Sequence, residues 1–263
     1  SNRTLVTLDQ IPEDLQHAVV AIEDERFYTH HGIDVQGIIR AFVVGVTSGN
    51  FSEGASTITQ QLLKNSVFTD WVYETSLIEK LQRKFQEQYL ALELEKRLTK
   101  EEILEDYLNT INLGAGTYGV QAASYRYFNK DVSELTLSEC TVLAGITQNP
   151  TRYNPITNPE NNASRREIIL EYMVEQGYIT EEERQEALAD NVYDRIQATD
   201  SSYESSSVYS YYEDALIEQV LEDLQTELGY TYQQAYEALY TQGLKIYSNQ
   251  DAEIQQICDE EFQ

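Results

Sequence analysis

A mainly α-helical fold is predicted for this chain by three observations. Apolar residues recur at helical spacing, three Thr-x-x-Glu pairs mark helix starts, and alternating strand patterns are scarce. At 263 residues the chain is long enough for one large domain, or for one domain with an appendage, and for an ample core.

Leu15, Ala18, Val19 and Ile22 follow the i, i+3, i+4, i+7 pattern, and Pro12 is placed to start that helix. It should run out near Glu23. AFVVGV, 41–46, is the longest apolar run and is far too short to cross a bilayer. GNFSEGAST, 49–57, is a Gly/Ser loop with little reason to pack, leading into the polar–apolar run ITQQLLKN. From Ile78, the positions Leu81, Phe85, Tyr89 and Leu92 continue one apolar face for about four turns. Thr99 with Glu102 begins a helix carrying Ile103, Leu104, Tyr107 and Leu108, and Thr136 with Glu139 and Thr180 with Glu183 repeat the signature. Strand character is limited to short pieces such as GLKIYS, 243–248. The Ser/Tyr-rich ATDSSYESSSVYSYY, 198–212, has no helical period and marks a domain boundary. The domains are therefore expected at 1–195 and 196–263.

Net charge is −27, unevenly spread. Residues 1–130 hold 12 basic and 18 acidic side chains, and residues 131–263 hold 6 and 27. Such acidity argues against nucleic acid as a partner and describes a solvated, self-repelling surface. The first half retains enough cations for a local anion site. Cys140 and Cys258 could form one disulfide, with two free thiols the favoured reading; three histidines, two of them adjacent, do not make a zinc site. The opening SNRTLV reads as the cut edge of a longer chain.

Four stretches carry chemistry-bearing residues. EDERFYTHHG, 23–32, crowds acids, aromatics and histidines at a helix end. GASTITQQLLKN, 54–65, sets Ser56, Thr57, Gln60, Gln61, Lys64 and Asn65 close together. These would offer donors to a sugar or phosphate, or form the polar face of an amphipathic helix. QRKFQEQ, 82–88, places Arg83 and Lys84 four and three residues before Glu87, on one helix face; alone, that is a surface ion pair worth about half a kilocalorie. Residues 101–130 join a helix to a turn with Gly114, Gly116 and Gly119, which either admit a ligand close to backbone or stop a helix.

In order, EDxxFxxHxG, GxSTxTQQxxKN, RKxxE, ILxxYLN and GxxGxxxAxxxYFxK occur within 108 residues. This series resembles the peptidoglycan glycosyltransferase domain of class A penicillin-binding proteins and their single-domain relatives, strongly over residues 10 to about 190 and loosely to 250. The resemblance implies a lysozyme-like helical lobe with a small membrane-facing jaw lobe at about 38–75, followed by a partial linker or pedestal toward an absent transpeptidase domain. It implies work at the outer face of the bacterial cytoplasmic membrane, with an N-terminal transmembrane anchor not included here. One departure is Ala55, where relatives often have a second glycine.

The implied reaction lengthens glycan strands from lipid II. A sugar hydroxyl needs a base, whereas a diphosphate leaving group needs cations more than an acid. The resemblance assigns Glu23 as the base. It sets Glu87 at the diphosphate, holding a divalent cation (Mg²⁺ or Mn²⁺) or orienting basic side chains. Lys64, Arg83 and Lys84 would neutralise the leaving group, and Ser56, Thr57, Gln60, Gln61 and Asn65 would contact the donor. Asp24 shapes the turn or sets the charge of Glu23, while Phe27 and His30 are wall and hydrogen-bond partner in the substrate site, a histidine base being the lesser alternative. Phe42, Val43, Val44 and Phe51, with Phe68 and Trp71, would form the apolar jaw, ordinary core being the alternative. Expected partners are lipid II, the growing strand, the membrane surface, moenomycin-type inhibitors and other cell-wall synthesis proteins. Two carboxylates beside a sugar also describe a lysozyme-like lytic enzyme, and a non-catalytic scaffold is the remaining class. The cation set argues for transfer over hydrolysis, and the intact Glu23, Lys64, Arg83 and Glu87 set argues against a scaffold.

Overall fold

Threonine starts four of the helices. Its hydroxyl accepts from the amide three residues on, or its own amide donates back to the Glu or Gln side chain there, so free N–H groups at a helix start find partners. In the computed structural model, which describes residues 5–48, 56–67, 77–197, 211–230, 234–235 and 238–239, the pairs are Thr57–Gln60, Thr99–Glu102, Thr136–Glu139 and Thr180–Glu183. They open α3 (Ile58–Ser66), α5 (Lys100–Thr110), α7 (Leu137–Ile146) and α9 (Glu181–Ala189). The other helices are α1 (Glu13–Glu23), α2 (Val35–Ser48), α4 (Leu77–Leu94), α6 (Val120–Phe128), α8 (Pro159–Glu175) and α10 (Tyr211–Leu228). The architecture is mainly α. Among the described residues, pairing of extended backbone is confined to one bridge, Asn112 with Tyr118. GLKIYS and the GNFSEG loop lie outside the described residues.

The chain divides into two compact units, one spanning Asn2–Ala198 and one made chiefly of Thr199–Gln263, to which α10 belongs. The first unit is organised around α7, whose residues Ser138 to Ile146 are all buried. A helix buried all round needs apolar or small residues on every face, which LSECTVLAGI supplies everywhere but at Glu139. It packs on α1 and α8, while α3 packs on α4 and α5. Leu15, Ala18 and Val19 of α1 face this core as their spacing predicts, with Ile22 packed against it. Cys140 is a buried thiol whose pKa is driven up by loss of hydration.

The apolar stripe of α4 departs from expectation. Phe85 and Tyr89 are 69% and 64% exposed and Leu92 is exposed too, whereas Glu87 and Ala91 are buried. The helical period is right and the buried face is the opposite one. A buried carboxylate is tolerable there because Arg83 and Lys84 from the preceding turn both donate to it. Gly32 shows how closely the neighbouring loop approaches. With φ at +88°, a Cβ on it would stand 2.6 Å from the carbonyl oxygen of Ala91. Gly119, at φ +85°, likewise starts α6 hard against the Asn109 carbonyl, so this part of the glycine-rich turn packs on the protein itself.

Polar pins hold the remaining elements. Arg166 of α8 donates to Thr141 and Ser138 of α7 and to the Ala187 carbonyl of α9. Arg195 forks onto Asp190 with two 2.7 Å bonds, which pull that carboxyl down to about 2, and reaches Glu139 at 3.1 Å. Burial pushes the Glu139 carboxyl up, but Lys130 at 2.6 Å, the Thr136 amide and Arg195 outweigh it and hold it below its usual value. A depressed folded pKa gives stability that is complete above the unfolded value of about 4.5 and fades as the pH falls through the folded one. Glu139→Gln should therefore cost about 3 kcal/mol in urea unfolding at pH 7. The gap from wild type should narrow as the pH falls below about 4.5, where the unfolded carboxyl begins to take up its proton.

Candidate active site

The end of α1 delivers two adjacent acids to different tasks. Asp24 leaves the helix with φ at −159° and turns its carboxylate onto α3, where Oδ2 accepts the Ile58 amide at 2.9 Å. Both oxygens of Asp24 lie 2.9 Å from His30 Nε2. The His30 tautomer follows from its other side. Nδ1 accepts from the Gly32 amide at 3.2 Å, so Nε2 carries the proton and donates it to Asp24. Lys100 Nζ also approaches Nδ1, at 3.5 Å. A histidine with its donor pinned and its acceptor occupied is not a base, so this alternative is set aside.

Behind His30 lies a buried charge network. Lys100 pairs with Glu95 at 2.7 Å, Glu95 accepts from Thr59 at 2.6 Å, and the Lys100 ammonium sits 4.5 Å over the Phe27 ring. Phe27 is fully buried within the core cluster, so its substrate-binding assignment is corrected: it packs beneath the site. Thr57 is corrected likewise. It is buried, its hydroxyl accepts the Gln60 amide and donates to the Gly32 carbonyl, and its role is to cap α3. Gln60 is the other half of that cap. Its Oε1 accepts the Thr57 amide, and its Nε2 is buried without a partner among the described residues.

Glu23 is mostly buried and sits among three donors. Gln61 Nε2 donates to Oε2 at 2.9 Å, Thr147 Oγ1 donates to Oε1 at 2.5 Å, and Arg165 Nη2 stands 3.4 Å from Oε1. Gln61 is itself oriented by the Tyr107 hydroxyl, which donates to its Oε1 at 2.9 Å. Complete burial, reinforced by the charges of Glu23 and Asp24, drives the Tyr107 pKa well above its usual value, so this hydroxyl stays a donor. That settles which end of the Gln61 amide faces Glu23. Arg165 in turn lies over the Tyr153 ring, at 5.1 Å.

The second acid is held differently. Glu87 is 1% exposed, with Oε2 taking Arg83 at 2.9 Å and Oε1 taking Lys84 at 2.5 Å. Lys84 also donates to Ser56, just before α3, at 2.7 Å. One helix thus connects both acids: Ser56 beside its start reaches the Glu87 cluster, and Gln61 from its middle reaches Glu23. Lys64 lies one turn beyond Gln61, partly buried on the same side of α3, and Asn65 is exposed near the helix end. The donor set around Glu87 suits cations already supplied by the chain. Both carboxylate oxygens are engaged by ammonium and guanidinium groups. Among the described residues no cluster of three His, Cys, Asp or Glu could hold a metal ion, and a divalent cation at Glu87 does not fit this arrangement.

On α2, Val35, Ile39 and Val43 form an exposed apolar stripe at i, i+4, i+8. Phe42 and Val44 lie in that helix, but their side chains fall outside the described residues, as do Phe51, Phe68 and Trp71 entirely. No helix among the described residues is long and apolar enough to cross a membrane. Tyr107, Thr147 and Arg165 were not singled out as site residues from sequence. Tyr107 stood within the quoted ILxxYLN stretch as a helical core position, whereas Thr147 and Arg165 carry no local signal.

Comparison with known proteins supplies the family. The model described as Transglycosylase matches residues 1–174. Penicillin-binding protein 1A of Clostridium perfringens is 43% identical over 263 residues, covering 96% of this chain and 31% of that protein. Penicillin-binding protein 1A of Escherichia coli is 38% identical over 258 residues, covering 98% of this chain and 28% of that protein. The chain thus spans about a third of the length of these relatives. A crystal structure of penicillin-binding protein 1A from Haemophilus influenzae aligns over 87% of this chain and 22% of that one, at 23% identity and a TM-score of 0.47.

Removing the Asp24 carboxylate strands the Ile58 amide and the His30 N–H in a buried place, each costing about 1–3 kcal/mol. Asp24→Ala should lower stability in denaturant unfolding by about 3 kcal/mol. Combined with His30→Ala it should cost less than the sum of the single changes, by about 1 kcal/mol or more. Additive losses would show that the two side chains do not act as one pin.

Proposed function

The chain belongs to the transglycosylase family, with a peptidoglycan glycosyltransferase domain over residues 1–174, and on that premise we propose that it polymerises lipid II into β-1,4-linked glycan strands. The 4-hydroxyl of the acceptor's N-acetylglucosamine attacks the anomeric carbon of the donor's N-acetylmuramic acid. Its proton passes to the Glu23 carboxylate as the new O–C bond forms. The electron pair of the breaking bond leaves with undecaprenyl diphosphate, and the α-linked donor becomes a β linkage in one inverting displacement. Glu23 then returns the proton to solvent.

The observation that carries this reading is the arrangement of unlike groups along α3. A carboxylate held by neutral and cationic donors stands beside its middle, and an Arg83–Glu87–Lys84 cluster stands beside its start. The first suits proton abstraction from a hydroxyl. The second, with Lys64, suits a departing diphosphate, and Glu87 serves by keeping Arg83 and Lys84 aimed. Hydrolysis of finished glycan would need no such cations. Ser56 and Gln61 are the polar side chains best placed to meet the donor. The exposed stripe Val35–Ile39–Val43 suits contact with a membrane surface, where a polyprenyl tail stays embedded. In this reading the domain works at the outer face of the cytoplasmic membrane, beside other cell-wall synthesis proteins, and moenomycin-type inhibitors compete for its diphosphate site.

With labelled lipid II, Glu23→Gln should lower kcat by about 100-fold or more while the protein remains folded. Lipid-free glycan should not be cleaved by the wild type. Full polymerisation by the variant would remove Glu23 as the base, and release of short glycan fragments would favour a lytic enzyme instead.

A further inference from the structure

The donors around Glu23 are unevenly shared. Among the described residues, Oε1 takes both Thr147 and Arg165, while Oε2 takes Gln61 alone. An ionised carboxylate has about four lone-pair sites, two on each oxygen. Oε1 is therefore filled and Oε2 keeps one site open. From this imbalance we propose that Thr147 is a positioning residue for glycosyl transfer, closing Oε1 so that the open lone pair of Oε2 receives the acceptor's proton. The inference rests on the transfer reading given above.

The surroundings of Thr147 suit it to both charge states of Glu23. Its hydroxyl lies 2.5 Å from Glu23 Oε1 and 2.9 Å from the Ala144 carbonyl, yet it has one proton to give. While Glu23 is ionised the proton belongs on Oε1, because a charged acceptor makes the stronger bond. When Oε2 has taken the acceptor's proton, Oε1 becomes a neutral carbonyl, and the hydroxyl can turn to Ala144 with little loss. A residue that held only the ionised form would oppose the proton transfer it prepares. Thr147 has a second acceptor, so it orients Glu23 before the step and releases it after.

Arg165 contributes in another way. Its contact with Oε1 is long, at 3.4 Å, its Nε is buried without a partner among the described residues, and its guanidinium lies over Tyr153. It takes the second lone pair of Oε1 weakly and adds charge beside the carboxylate. Direction comes from the two short bonds, Thr147 on one oxygen and Gln61, backed by Tyr107, on the other.

The test is lipid II polymerisation by this chain as wild type, T147V and T147S, each checked by thermal melting. T147V keeps the shape and removes the donor. It should lower kcat about 10- to 100-fold with KM within about twofold, and T147S should recover most of the rate. Should T147V lower the melting temperature, T147A removes the same donor without bulk and carries the same expectation. Wild-type kcat without the hydroxyl, or T147S as impaired as T147V, would overturn the role of Thr147 while leaving the transfer reading intact. A wild-type chain that does not polymerise lipid II would sink the transfer reading and this inference with it.

Discussion

The Asp24 carboxylate accepts the Ile58 amide at the start of α3 and the Nε2–H of His30, and the geometry of the whole site follows from that joint. It fixes the loop after α1 against the helix that reaches both acids. Glu23 is one residue away, so any freedom in Asp24 would move Glu23 relative to Gln61. The joint is buried and backed by the Lys100–Glu95–Thr59 network, where low polarity makes each hydrogen bond count for more and each missing partner cost more. Phe27 fills the space beneath, and its ring face meets the Lys100 ammonium.

The two acids of the site show how neighbours decide what a carboxylate can do. Glu87 is enclosed by its own helix's cations on both oxygens, which makes it an anchor for positive charge and a poor place for a metal. Glu23 is held by one amide and one hydroxyl at short range and one cation at long range. Neutral donors orient a carboxylate without neutralising it. A strongly acidic chain can still present a cationic face to an anionic ligand, because interaction at a few ångströms outweighs charge spread beyond a Debye length.

Helix existence was legible because it is written locally. The period of α1 and the Thr-x-x-Glu starts depend on residues three and four apart, and they sit in the structure where the pattern puts them. The face that α4 buries was not legible. Its apolar stripe points outward and its carboxylate inward, since what a helix buries depends on the partner it meets. Phe27 and Thr57 belong to readable motifs, yet their burial, and with it a packing and a capping role, appears only in the folded chain.

The sequence by itself determined the helical class, the motif order and the acids and cations around which a site could form, because these depend on residue type and short spacing. Tertiary structure alone decided how Glu23 is held. Thr147 and Arg165 lie 124 and 142 residues away along the chain, and the packing of α1 on α7 and α8 brings those distant stretches alongside it. No local pattern encodes such a meeting, since side chains that far apart are joined by core packing and not by helical period.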